Sequence, residues 1–246
     1  MTFERTPPPV DATGEGTGQS ALPGVVIFDV NETLSDMSSI ASLFEDVGLP
    51  GHLAATWFAG LLRDGFALTV TEANPSYAAL ASDSLGALLH GVVPDVEDAT
   101  THVLAGFAQL PLHADVADGV RALHDLDLRL VTLSNGAITV AQGLLERGGL
   151  RDAFERLLSV QDAPAWKPAA SAYHHAVQTC RVPAAQAMLV AVHPWDIHGA
   201  HQAGLRTAWI NRTGGPYPAT MHPADLEAAS LTALAQVLSE ARGHVE

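Results

Sequence analysis

Cysteine is nearly absent: Cys180 is alone in 246 residues. A single thiol excludes an internal disulfide and a cysteine zinc cluster, and it fits a reducing cytoplasm. Basic residues are also scarce. Twelve lysines and arginines stand against 27 aspartates and glutamates, a formal net charge of -15. That balance opposes nucleic acid or an anionic membrane as partner. It also repels a small anionic substrate at long range. Any anion site must therefore be built locally, from backbone N–H groups, hydroxyls and a few cations. No apolar run is long enough to span a bilayer. The first residues, with Glu4, Arg5 and the prolines at 7, 8 and 9, lack the apolar segment of a signal peptide. The expected compartment is the cytoplasm.

What remains is enough for a large core. The hydrophobic share is 48% and the charged share 16%, which argues against global disorder. Residues 1–22, rich in Pro, Gly, Thr and acidic side chains, read as a disordered tail. Val25-Val26-Ile27-Phe28 then reads as a buried parallel strand, ending at Asp29. From Ser38 to about Gly91 the apolar residues recur at helical spacing, as in Ala54, Trp57, Phe58, Leu61 and Leu62. A further helix follows and closes at Pro111.

Strands and helices alternate after that. Strands are expected at 128–133, 157–160, 187–192 and 207–211, with helices at 116–126, 138–147, 169–179, 197–203 and 231–240. The pattern predicts an α/β fold, a Rossmann-like doubly wound parallel sheet. The helical text after the first strand predicts an inserted helical cap. The expected division is core at 23–36 and 112–246, with the cap at 37–111.

Four polar constellations follow predicted strands or their loops: Asp29 with Thr33, Ser134-Asn135-Gly136, Lys167-Pro168, and Asp196. Parallel strands all end at one edge of a sheet, so these groups converge on one pocket. Their chemistry suits attack by Asp29 on an electrophilic carbon or phosphorus, giving a covalent aspartyl intermediate. Lys167 would keep Asp29 ionised. Ser134, Asn135 and the N–H groups near Val30 and Asn31 would bind an anionic group. Each residue also has a plainer reading. Asp29, Thr33 and Asp196 can cap helices, Ser134-Asn135-Gly136 can be a turn, and Lys167 can be a solvated lysine. Tyr173, Trp195 and Trp57 can be core aromatics. His193, His198 and His201 lack the spacing of a helical zinc pair, so no metal site is expected. The cap stripes read as core or as the face of a homodimer.

The order Asp-x-x-x-Thr, Ser-Asn-Gly, Lys-Pro and a late Asp resembles the haloacid dehalogenase superfamily. Leu158-Ser159-Val160, Tyr173, Trp195-Asp196 and Trp209-Ile210-Asn211-Arg212-Thr213-Gly214 are similar to its (S)-2-haloacid, or type II, branch. The resemblance implies hydrolytic dehalogenation of a small 2-haloalkanoic acid to a 2-hydroxy acid. Asp29 would displace halide and form an ester, which water then hydrolyses. Lys167 and Asp196 would organise nucleophile and water. Thr33, Ser134 and Asn135 would hold Asp29 or the substrate carboxylate, and Tyr173 and Trp195 would line the pocket. No cofactor is expected.

Some positions depart from the branch. Asn31-Glu32 stand where it has Tyr-Gly, and the last motif reads Ala191-Val192-His193-Pro194-Trp195-Asp196. Phe58 follows Trp57 where the halide-binding Arg is expected, and Arg63 lies further on. His193 is a new group beside the pocket, able to donate to a leaving group or position water. The first alternative is a magnesium-dependent phosphatase. Asn31 counts against it, because an amide cannot supply the proton that the superfamily's phosphatases draw from an acid at that position. The second is a non-catalytic binding protein that retains the fold.

Overall fold

The computed structural model describes residues 22–243. The tail expected at 1–22 falls, except for its last residue, outside the described residues. Six strands form one parallel sheet in the order β3-β2-β1-β4-β5-β6. They are β1 (Val25–Phe28), β2 (Arg129–Ser134), β3 (Arg156–Ser159), β4 (Ala187–Ala191), β5 (Arg206–Ile210) and β6 (Leu226–Ala228). The strand order reverses on either side of β1, which pairs with β2 at one edge and β4 at the other. Open α/β sheets bind ligands outside the carboxyl ends of the strands at such a point. Asp29 is the first residue beyond β1, and its N–H donates to the Val190 carbonyl at 3.0 Å.

The apolar run of β1 is continuous because both faces are covered. Val25 and Ile27 pack into one cluster, Val26 and Phe28 into another. The first cluster also contains Phe44, Trp57, Phe58, Leu61 and Leu85. With Val103, which is also in this cluster, these come from four helices set between β1 and the rest of the core: α1 (Ile40–Asp46), α2 (Leu53–Val70), α3 (Tyr77–Leu89) and α4 (Val96–Phe107). This helical cap therefore shares a hydrophobic core with the sheet. Its apolar stripes are buried within the chain. Among the described residues the exposed large hydrophobics are Val70, Val92 and Val237. No helix of the described residues is long and apolar enough to cross a membrane.

The remaining helices are α5 (Val116–His124), α6 (Ile138–Arg147), α7 (Ala170–Cys180), α8 (Pro194–Gln202) and α9 (Leu231–Gly243). Helix α8 starts three residues earlier than the sequence suggests, because Pro194 takes the first-turn position where a missing N–H costs nothing. Strand β6 is an addition. It is three residues long with an exposed Glu227 at its centre, too short to carry a periodic signal.

Candidate active site

Three buried charges meet at the end of β1. Lys167 Nζ lies 2.8 Å from Asp29 Oδ1 and 2.6 Å from Asp196 Oδ2. All three side chains are almost wholly removed from solvent. The arrangement is tolerable only because each charge is paired and further hydrogen-bonded. Thr33 Oγ1 donates to the second oxygen of Asp29 at 2.7 Å and accepts the Val192 N–H at 3.1 Å. Tyr173 donates to Asp196 Oδ1 at 2.5 Å. Asn135 holds the Lys167 backbone at both ends of its amide: Oδ1 accepts the Lys167 N–H and Nδ2 donates to the Lys167 carbonyl.

The electrostatics distinguish the two carboxylates. Burial pushes the Asp29 carboxyl up, but the Lys167 and His193 charges and the Lys167 and Thr33 hydrogen bonds outweigh it, so its pKa falls below the usual value. Burial also raises Asp196; Lys167 opposes this and the Asp29 charge adds to it, and the net shift is upward. Burial pushes the Lys167 ammonium down, but the two carboxylates overcome it and raise its pKa. Asp29 is thus held as the anion, and Asp196 is the better proton acceptor of the pair.

His193 closes one side. Its Nε2 donates to the Asn31 carbonyl at 3.2 Å, and lies 3.8 Å from Asp29 Oδ2 and 3.5 Å from Glu32 Oε2. The ring stacks on Trp195, which in turn meets Phe66 of α2 edge-on. Lys167 Nζ sits 5.8 Å from the Trp195 ring centroid. Glu32 takes a left-handed backbone conformation, φ 63°, and His113 Nε2 donates to its carbonyl. Arg212 holds the same turn from outside, donating to the Thr33 carbonyl at 3.1 Å and pairing with Asp115.

Two of the cavities beside the residues that follow Asp29 lie between core and cap. The larger, about 500 Å³, is lined by Phe58 and His52 from the cap and by Glu32 and His193 from the core. The smaller, about 100 Å³, is lined by Asn31, Ser134 and Gly136 from the core and by Tyr77 and Phe107 from the cap.

A sequence profile of the haloacid dehalogenase-like hydrolases matches residues 23–204. The chain belongs to this family of hydrolases. The (S)-2-haloacid dehalogenase of Pseudomonas sp. (strain YL) is 28% identical over 225 residues, spanning 90% of this chain and 97% of that one. A crystal structure of an L-2-haloacid dehalogenase matches with a TM-score of 0.83 at 26% identity, covering 89% of this chain and all of that one. The L-2-haloacid dehalogenase of Xanthobacter autotrophicus, solved with chloropropionic acid covalently bound, shares the fold at a TM-score of 0.78 and 20% identity, covering 89% of this chain and 99% of that one.

Within this hydrolase the residues singled out from sequence fall into three groups. Asp29, Thr33, Lys167 and Asp196 share one network. Asn31, Ser134, Phe58 and His193 line the flanking cavities, and Trp195 backs His193. Val30 is buried beside them, its carbonyl accepting the Leu34 and Ser35 N–H groups. Two side chains sit otherwise than expected. Tyr173 lies behind Asp196 rather than in either cavity wall, because its place on α7 aims the phenol at that carboxylate. Asn135 reaches the Lys167 backbone, which takes both its polar atoms. Arg63 points to solvent and pairs with Asp64. Tyr77 was not foreseen. It opens α3 far from any strand end, where strand-end reasoning does not look.

Proposed function

We propose that this hydrolase converts a small 2-haloalkanoic acid to a 2-hydroxy acid through an aspartyl ester on Asp29. The observation that carries the reading is the Asp29 environment: an anion held by Lys167 and Thr33, with the amide of Asn31 two residues on. A carboxylate oxygen of Asp29 attacks the carbon that bears the halogen, and the carbon–halogen bond breaks to release halide. Water then attacks the Asp29 carboxyl carbon and the ester opens to the hydroxy acid. Asp196, raised in proton affinity, takes the water's proton, and Lys167 balances the charge of both carboxylates. The relatives named as 2-haloacid dehalogenases support this substrate class.

No cofactor enters this reading. The Lys167 ammonium fills the gap between Asp29 and Asp196 that a divalent cation would have to bridge. A magnesium phosphatase is disfavoured on the same ground and by Asn31. We also propose the division into core (23–36 and 112–246) and cap (37–111), in keeping with the span of α1–α4.

Incubation with chloroacetate and 2-chloropropionate, following halide and hydroxy acid together, tests the function. Stoichiometric release of both is expected. Silence toward every haloacid, with magnesium-dependent hydrolysis of a phosphate ester, would overturn it. In heavy-oxygen water, a single turnover with excess enzyme should place label in the Asp29 carboxylate.

A further inference from the structure

Around Asp29 nearly every polar atom has a partner, but one above it does not. Tyr77 is 6% exposed, and its hydroxyl is sealed from solvent with no hydrogen-bond partner. The ring is fixed on two sides. It stacks on Trp166 with centroids 5.8 Å apart and planes at 18°, and it tilts against Phe107 at 5.9 Å. A buried hydroxyl without a partner is unfavourable unless something pairs with it when the protein works.

The smaller cavity supplies that setting. Tyr77 shares its wall with Asn31, Ser134 and Gly136. A Cβ on Gly136 would stand 3.2 Å from Ser134 Oγ and 3.9 Å from Asn31 Nδ2, so the bare glycine leaves room between those groups. Ser134 Oγ accepts the Gly136 N–H at 2.9 Å, which leaves its own proton for another acceptor. Three uncharged side chains that can donate, Tyr77, Ser134 and Asn31, therefore border one small space. Burial pushes the Tyr77 phenol well above its usual pKa, and the Glu32 and Asp29 charges add to this, so it stays a donor.

The cap has little else to offer an anion on this side. Arg63 is the one arginine or lysine within 37–111, and its side chain is 76% exposed. His52 lines the other cavity. We propose that Tyr77 is a substrate-binding residue whose hydroxyl donates to the carboxylate of a small 2-haloacid in the smaller cavity, together with Ser134 and Asn31. The proposal rests on the dehalogenase reading and adds to it the cap-side group that recognises the carboxylate.

The test is Tyr77→Phe, assayed for halide release from chloroacetate and titrated with glycolate by calorimetry. KM and the glycolate Kd should each rise about tenfold or more, with kcat within about twofold. The melting temperature should hold or rise, because the substitution removes an unpaired hydroxyl. Unchanged KM and glycolate affinity would overturn the proposal, and so would a clear fall in melting temperature, which would mark the hydroxyl as paired inside the protein. If wild type releases no halide from any haloacid, the dehalogenase reading fails. The glycolate titration then decides the Tyr77 proposal by itself: binding weakened in the variant supports it, while equal or absent binding overturns it.

Discussion

At the floor of the site, Asp29 receives Lys167 and Thr33, Asp196 receives Lys167 and Tyr173, and Asn135 fixes the Lys167 backbone. Facing it from the cap are Phe58, Phe107 and Tyr77, and the one polar atom among their side chains is the unpaired Tyr77 hydroxyl. The floor consists of charges in fixed mutual positions, the ceiling of largely apolar surface with Tyr77 over the smaller cavity and His52 over the larger. Buried charges tolerate almost no change of geometry, whereas apolar walls tolerate swaps that conserve volume. Chemistry should therefore reside in the floor and selectivity in the ceiling, and that division can be attacked from both sides.

The largest effect is expected at Asp29, the proposed nucleophile. Asp29→Asn should lower halide release by about 10⁴-fold or more, as loss of a covalent nucleophile does. A variant that keeps its rate would remove the floor's role altogether. Lys167→Met comes next. It leaves two buried carboxylates without their ammonium, and unfolding in urea should show a loss of about 3–5 kcal/mol. Adding Asp196→Asn should restore part of that loss.

Melting temperature against pH probes the same network more gently. The Lys167 pKa is raised on folding, so its contribution is complete below the ordinary lysine value and disappears as pH rises through the higher folded one. Asp29 is shifted the other way. Its contribution is present above the ordinary carboxyl value and is lost as pH falls through the lower folded one. Lys167→Met should remove its share of the alkaline loss. The smallest effect belongs to the ceiling. Phe58→Leu should cost less than about 1.5 kcal/mol of stability and shift substrate preference by a few-fold, read as kcat/KM for chloroacetate against 2-chloropropionate. A hundredfold fall in kcat for both would erase the distinction between floor and ceiling.

The floor was readable in the sequence because each of its groups follows a strand end or its loop, and parallel strands bring such ends together whatever their separation along the chain. Asp29 and Lys167 are 138 residues apart and in contact. Side-chain direction was not readable. Asn135 and Tyr173 were correctly associated with the strand ends and α7, but which atoms they address depends on rotamers that no spacing encodes. The ceiling was hardest. Asn74-Pro75-Ser76 signals a helix start, and Ser76 does cap α3 by accepting the Ala79 N–H. Nothing local says that the next residue will share a cavity wall with Asn31 and Ser134.

Trp166 joins the two regions. Its ring fits against Gly65 of α2, where a Cβ would overlap it, stacks on Tyr77 of α3, and donates through Nε1 to the Pro75 carbonyl at 2.9 Å. The next residue in the chain is Lys167. A hinge motion lifting α2 and α3 from the sheet would have to slide over this indole or drag it along. Lifting the two helices would then disturb the backbone that carries Lys167 as well.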